Sequence, residues 1–156
     1  MSVERVREYF EGVGMGGRVV ELDASSATVE LAAAAIGCEP ERIAKTLSFL
    51  VKGVPTLVVM AGDGRIDNQK FKARFHAKPK MLKAEEAAEL VGHPVGGVCP
   101  FAVNDGVEVY LDESLRRFET VWPAAGSLNS AIELTLAELE EHSHALAWVD
   151  VCKSWE

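Results

Sequence analysis

Two runs of apolar and β-branched residues, 45–52 (KTLSFLVK) and 55–61 (PTLVVMA), flank the dipeptide Gly53-Val54. Such runs on either side of a glycine turn read as a β-hairpin. The chain therefore has to build a sheet with an antiparallel pair, and the rest of it has to cover that sheet. Val3, Val6, Tyr9 and Phe10 recur at helical spacing and predict a helix over residues 3–11, ended by Gly12, Gly14, Gly16 and Gly17. Residues 18–23 predict a short strand. Ser25 or Ser26 is the expected cap of a helix over residues 28–36, with Gly37 as its stop. Pro40 and Glu41 open a helical turn through Ile43, and Gly62-Asp63-Gly64 is a turn signal. Asp67 is the expected cap of a helix through Phe71 and Phe75, and residues 84–91 predict another helix, stopped by Gly92. Further strands are expected over residues 107–111, 120–122, 131–134 and 145–151. Thr135 and Glu138 form a capping-box pattern for a helix over residues 136–141. Helices and strands are interspersed while the strands cluster as hairpins, which favours an α/β (α+β) domain with a mixed sheet over a doubly wound parallel one.

The chain has 156 residues, a length that fits one domain with its own core, so residues 1–156 are expected to fold as one unit. No apolar run approaches the roughly 20 residues a membrane helix needs. The charged start, with Glu4, Arg5, Arg7 and Glu8, lacks the apolar stretch of an export signal. Cys38, Cys99 and Cys152 are an odd number without C-x-x-C spacing, which suggests reduced thiols in a cytoplasmic protein. A net charge of −8 disfavours general coating of DNA or RNA, because the polyphosphate repels it. It leaves room for contact with an RNA end through a local basic patch.

Such a patch is visible. Lys70, Lys72, Arg74, Lys78, Lys80 and Lys83 fall within residues 68–83, which contain no acid. The segment is either a solvated face or a surface for phosphates. Lys45 lies between apolar neighbours, as a snorkelling surface residue or as a hook for phosphate or carboxylate. The stretch 92–100 (GHPVGGVCP) has the form G-x-x-x-P from Gly96 to Pro100. It is either a plain tight connection or a loop that brings backbone N–H and C=O groups up to a ligand. His142 and His144 match no metal-ligand spacing and read as a pair at a helix end. Cys99 has no base near it in sequence, which leaves it either structural or a nucleophile. Nucleotide-binding and nucleophile-elbow motifs are missing from the sequence.

Singly these features say little, but their order does more. Residues 43–47 (IAKTL), 55–63, 91–101, 111–115 (LDESL) and 123–135 together resemble the YbaK/prolyl-tRNA-synthetase-associated editing family from about Thr28 onward. The resemblance implies a compact domain with a mixed, barrel-like sheet surrounded by helices. It implies hydrolysis of the ester between a mischarged small amino acid and the terminal adenosine of a tRNA, with tRNAPro expected, by a trans-acting deacylase without a cofactor or metal. In that reading Lys45 holds the tRNA 3′ end near its phosphate. Gly96 and Gly97 belong to the catalytic loop, whose backbone engages the aminoacyl group, and Val98, Cys99 and Pro100 continue it as substrate contacts. Leu47 is an expected pocket wall, and Asp67 and Asn129 are further substrate-binding candidates beside turn signals. Lys70, Lys72, Arg74, Lys78 and Lys80 are the expected tRNA contacts. The implied partners are the acceptor end of tRNA and a synthetase, with neither DNA nor a membrane. A glycine loop that stabilises an oxyanion needs no catalytic triad, because an aminoacyl ester is already activated. Three other readings stand beside this one: a catalytically silent module that binds a tRNA end or an aminoacyl nucleotide, a thiol enzyme using Cys99, and a domain whose basic segment meets an acidic protein.

Overall fold

The computed structural model describes residues 2–26, 28–94 and 96–155, and for Ser2 its backbone only. Val95, in the middle of the glycine loop, lies outside the described residues. The hairpin is the centre of the molecule. Strands β2 (Ile43–Val51) and β3 (Val54–Ala61) pair antiparallel from Ala44↔Ala61 to Val51↔Val54. The turn is Lys52-Gly53, one residue earlier than the sequence suggested, with φ of 49° and 83°. Two successive left-handed residues match the right-handed twist of the strands they join, and Val54 is thereby freed to enter the ladder.

Around the hairpin the sheet is mixed, as expected. Its strands run in the order β8 (Leu134–Thr135), β6 (Thr120–Pro123), β2, β3, β5 (Glu108–Asp112), β9 (Ala147–Val149). The β2–β6, β3–β5 and β5–β9 pairs are parallel, and β6–β8 is antiparallel. The sheet curls into a half-barrel. Two small antiparallel pairs complete the set, β1 (Val19–Glu21) with β7 (Ser130–Ile132) and β4 (Arg65–Ile66) with β10 (Cys152–Lys153).

Both faces of β3 are covered, which is why its sequence runs apolar instead of alternating. Leu57, Val59 and Ala61 pack towards Val6 and Phe10 of α1 (Ser2–Gly12), Phe101 and Leu139 of α5 (Leu136–Ser143). Val58 and Met60 pack towards Phe71 and Phe75 of α3 (Asn68–Phe75), with Phe49 stacked at 4.9 Å on Phe71. A smaller cluster joins Ala32 and Ala33 of α2 (Val29–Ile36) to Ile43 and Trp122.

Asp67 caps α3 with two backbone hydrogen bonds of 3.0 Å, and Thr135 with Glu138 closes the capping box of α5. Elsewhere local choices differ from expectation. Thr28 caps α2, accepting from Leu31 N–H, whereas Ser26 donates to Leu128 O and ties the approach to the helix down. The strand expected over residues 18–23 is only Val19–Glu21, because Gly16–Arg18 form a tight helical turn. α4 (Ala84–Glu86) continues into a wide turn over Ala87–Val91 before Gly92 ends it. The last expected strand is split: Val151 N–H donates to Asp112 Oδ1 and the chain turns from β9 into β10. His142 is buried, with its Nδ1 3.0 Å from Tyr9 Oη, while His144 ends α5.

Candidate functional site

The ladder between β2 and β6 lasts only from Ile43↔Trp122 to Ala44↔Pro123. Farther along the same edge, Leu82 N–H donates to Ser48 O at 3.0 Å and Leu50 N–H to Lys80 O at 2.9 Å. Between these pairings β2 has no neighbour among the described residues. The alternation that turns Ser48 O and Leu50 N–H to this edge turns the N–H and C=O of Thr46 to it as well. A cavity of about 420 Å³ opens at this gap. Its walls are Val29, Ala32 and Ile36 of α2, residues 43–48 of β2, Met81 and Leu82, Gly96 and Val98, and Trp122, Ala124, Ser130 and Ala131. Ser26 and Thr28 complete the lining, in which no described residue is acidic.

Lys45 brings the cavity its one cation among those lining residues. It is half-buried, and no hydrogen bond or ion pair holds its Nζ among the described residues. Burial pushes its pKa below the ordinary lysine value; Arg65 acts in the same direction, and Asp63 and Glu30 act against it. A partly desolvated ammonium that makes no direct ion pair favours whatever anion enters the cavity.

The glycine loop lies across from β2. Gly96, at φ 91°, and Val98 face the cavity. Gly97 does not: its N–H donates to Pro94 O at 3.0 Å, and a Cβ on it would stand 2.5 Å from Ser127 N. Its smallness lets two backbones touch, and the site of that contact is the turn between β6 and β7. In that turn Ser130 Oγ accepts from Ser127 N–H at 3.1 Å. Beneath the loop, His93 is fully buried with Nε2 2.7 Å from Phe101 O. A carbonyl only accepts, so Nε2 carries the proton, and burial lowers the pKa and keeps the ring neutral. Cys99 Sγ sits 3.6 Å from that Nε2, and burial pushes its thiol up to about 12. A thiol so protonated is a poor nucleophile, and Cys99 does not reach the cavity.

The structure thus brings Lys45, Leu47, Gly96 and Val98 together around one cavity. It places Gly97, Cys99 and Pro100 behind that wall, as the loop's packing against the protein. Asp67 lies away from the cavity as the cap of α3. Asn129 ties the β6–β7 turn to Leu22 O at 3.1 Å and is also outside the lining. Of the basic residues, Lys70 is engaged by Asp150 and Cys152 O, both at 3.1 Å. Lys72, Arg74, Lys78 and Lys80 are exposed. Lys80 stands at the rim, next in the chain to Met81. Sequence reasoning missed Thr46, Ser48, Trp122 and Ser130. For Thr46 a signal existed: it follows Lys45 in the strand, and a short polar residue is unusual in so apolar a run.

Residues 23–142 match the family described as the aminoacyl-tRNA editing domain. The chain is 52% identical to the "Uncharacterized protein YwhH" of Bacillus subtilis along the full length of both. It is 25% identical to the proline–tRNA ligase of Bacillus licheniformis over 80% of this chain and 22% of the ligase. A crystal structure described as "a putative trans-editing enzyme for prolyl tRNA synthetase" superposes with a TM-score of 0.87 at 33% identity, covering 97% of each chain. The resemblance drawn from the lysine strand and the glycine loop agrees with these matches, and the chain belongs to the aminoacyl-tRNA editing domain family.

Proposed function

We propose that this protein is a trans-acting deacylase that hydrolyses the ester joining a small, wrongly attached amino acid to tRNAPro. The observation that supports it most is Lys45, a half-buried ammonium with no direct ion pair among the described residues, on the wall of a cavity lined mostly by apolar residues. A tRNA 3′ end supplies both complements: phosphates for the ammonium and an aminoacyl group for the apolar space. The likeness to proline–tRNA ligases and to the trans-editing structure favours tRNAPro as the carrier.

In this reading water adds to the acyl carbon and loses a proton, and the electron pair of the C=O bond moves to oxygen. Collapse of that oxyanion expels the ribose oxygen, which takes up a proton, leaving free amino acid and tRNA. Lys45 holds the phosphate and thereby the ester. The Gly96 and Val98 N–H groups, which have no partner among the described residues, are the loop donors available to the oxyanion, whereas the Gly97 N–H is engaged by Pro94. The terminal ribose hydroxyl orients the water. A cavity of about 420 Å³ bounded by Ile36, Trp122 and Met81 sieves side chains by size, at roughly 1–3 kcal/mol per methylene. Exposed Lys72, Arg74, Lys78 and Lys80 meet the acceptor-stem phosphates.

The test is release of labelled amino acid from a panel of mischarged tRNAs by purified protein, with and without EDTA. Rapid, chelator-resistant release from one or a few small-residue aminoacyl-tRNAs is expected. Binding of the same tRNAs with no release from any would replace the deacylase with a silent binding module.

A further inference from the structure

Thr46 Oγ1 is buried and has no hydrogen-bond partner, the only such side-chain atom among the described residues. An unmet buried hydroxyl costs about 1–3 kcal/mol, and proteins rarely retain one without a use. Its place makes the use specific. Thr46 lines the cavity, keeps part of its surface exposed, and lies on the stretch of β2 whose outer edge no strand covers. A ligand reaches the hydroxyl after a turn about the Cα–Cβ bond that carries Oγ1 to the cavity wall. The main-chain N–H and C=O of the same residue are likewise turned to the gap without a backbone partner among the described residues. Two independent features, an orphaned hydroxyl and a bare strand edge, thus converge on one residue of a mostly apolar wall.

The proposed substrate has one group that this arrangement suits. An aminoacyl ester carries a free α-ammonium, which needs acceptors. No lining residue described is a carboxylate, and Lys45 repels a second cation. Three other hydroxyls of the lining are committed: Thr28 Oγ1 accepts from Leu31 N–H, Ser26 Oγ donates to Leu128 O, and Ser130 Oγ is held by Ser127. Ser48, two residues farther along β2, also lines the cavity, but its hydroxyl is not the one sealed away without a partner. Resting on the deacylase reading, we infer that Thr46 is a substrate-recognition residue whose hydroxyl accepts a hydrogen bond from the α-ammonium of the aminoacyl group. The bare edge of β2 runs alongside the acyl unit, with the Thr46 C=O as the second acceptor. The site therefore selects aminoacyl esters with a free amine over N-blocked ones, such as the N-acylated esters of initiation and peptide synthesis.

The experiment compares kcat/KM for alanyl-tRNAPro and N-acetylalanyl-tRNAPro in the wild type, Thr46→Val, Thr46→Ala and Thr46→Ser, each checked for its melting temperature. The wild type is expected to prefer the free amine. The preference should fall about 10- to 100-fold in Thr46→Val and Thr46→Ala, the scale of one hydrogen bond to a charged group, and return in Thr46→Ser. A preference unchanged in the two variants without a hydroxyl overturns the proposal, as does a wild type with no preference. Failure of the deacylase reading has a different signature: no turnover of either ester by the wild type. In that case calorimetric binding of amide-linked 3′-alanylamino-adenosine and its N-acetyl form decides the role of Thr46 by the same ratio.

Discussion

Lys45→Met separates what the ammonium does for the fold from what it does for the substrate. Methionine keeps the unbranched stem and removes the charge. In the free protein that charge is half-buried with no hydrogen-bonded partner among the described residues, and burial holds its pKa below the ordinary value of 10.5. A lysine whose folded pKa is depressed binds protons less well folded than unfolded. It therefore destabilises the fold when charged, and stability rises as pH climbs from the folded value towards the unfolded one. The variant is expected to melt no lower than the wild type at pH 7, with any advantage shrinking as pH rises towards 10.5. Catalysis should move the other way. A hydrogen bond to a charged group is worth about 1.5–3 kcal/mol, so losing a phosphate contact at Nζ should lower kcat/KM for alanyl-tRNAPro about 10- to 150-fold. The assays are deacylation kinetics and thermal melts of the same preparations. Wild-type kinetics in Lys45→Met refute the anion hook. A drop of several degrees in melting temperature refutes the premise that the ammonium makes no direct ion pair.

Gly97→Val drives a side chain into the Ser127 backbone, and overpacking of this kind should cost about 1–3 kcal/mol in denaturant unfolding. Unchanged stability would deny the contact between the two loops. Cys99, with its thiol pushed up to about 12, should resist alkylation in the native protein at pH 7.5, and Cys99→Ala should keep its turnover; alkylation that abolishes activity in step with Cys99 labelling would revive the thiol enzyme. Arg18 holds the Glu138 carboxyl down to about 2 from an ordinary 4.5. The stability it contributes should be full above pH 4.5 and fade as pH falls towards 2, so the melting difference between wild type and Glu138→Gln should narrow over that interval; a constant difference would contradict the pairing. Charge reversal at Lys72, Arg74, Lys78 and Lys80 together should raise KM and flatten its salt dependence, and an unaltered salt slope would take these residues off the tRNA.

What was legible in the sequence and what was not divides along physical lines. The hairpin, the Asp67 cap and the Thr135–Glu138 box are local patterns in which each residue's chemistry acts on near neighbours, and these were readable. The cap of α2 was misplaced because Ser25, Ser26 and Thr28 are all competent. A tertiary contact, Ser26 with Leu128, decides among them. That Lys45, Leu47, Gly96 and Val98 belong near one another was legible from the order of motifs, and all four line the cavity. The remaining walls were not legible, because Trp122, Ala131 and Met81 come from segments that meet only when the sheet curls. Cys99 and Pro100 lie outside the cavity lining, which the order of motifs does not reveal, because sequence shows that a loop is present but not which of its sides faces in. The alternation along a loop is set by what packs beneath it, here His93 and Phe101.

The cavity exists because a ladder is interrupted. β6 leaves β2 after Ala44, when Ala124 pairs with Ala131 and the chain turns through residues 125–130 into β7. That turn is where the glycine loop docks, backbone against backbone at Gly97 and Ser127. Closing the ladder instead would satisfy the main chain of Thr46 and seal the wall. Leaving it open costs stability at one strand position and places a bare peptide edge, an unmet hydroxyl and an ammonium without a direct ion pair within one strand segment, Lys45 and Thr46. Each lacks what a tRNA-linked amino acid carries: a donor for the acceptors, a phosphate for the cation and a small apolar group for the space between them. In the proposed reading, binding relieves several unfavourable terms at once, and selectivity follows from what the free protein leaves unsatisfied.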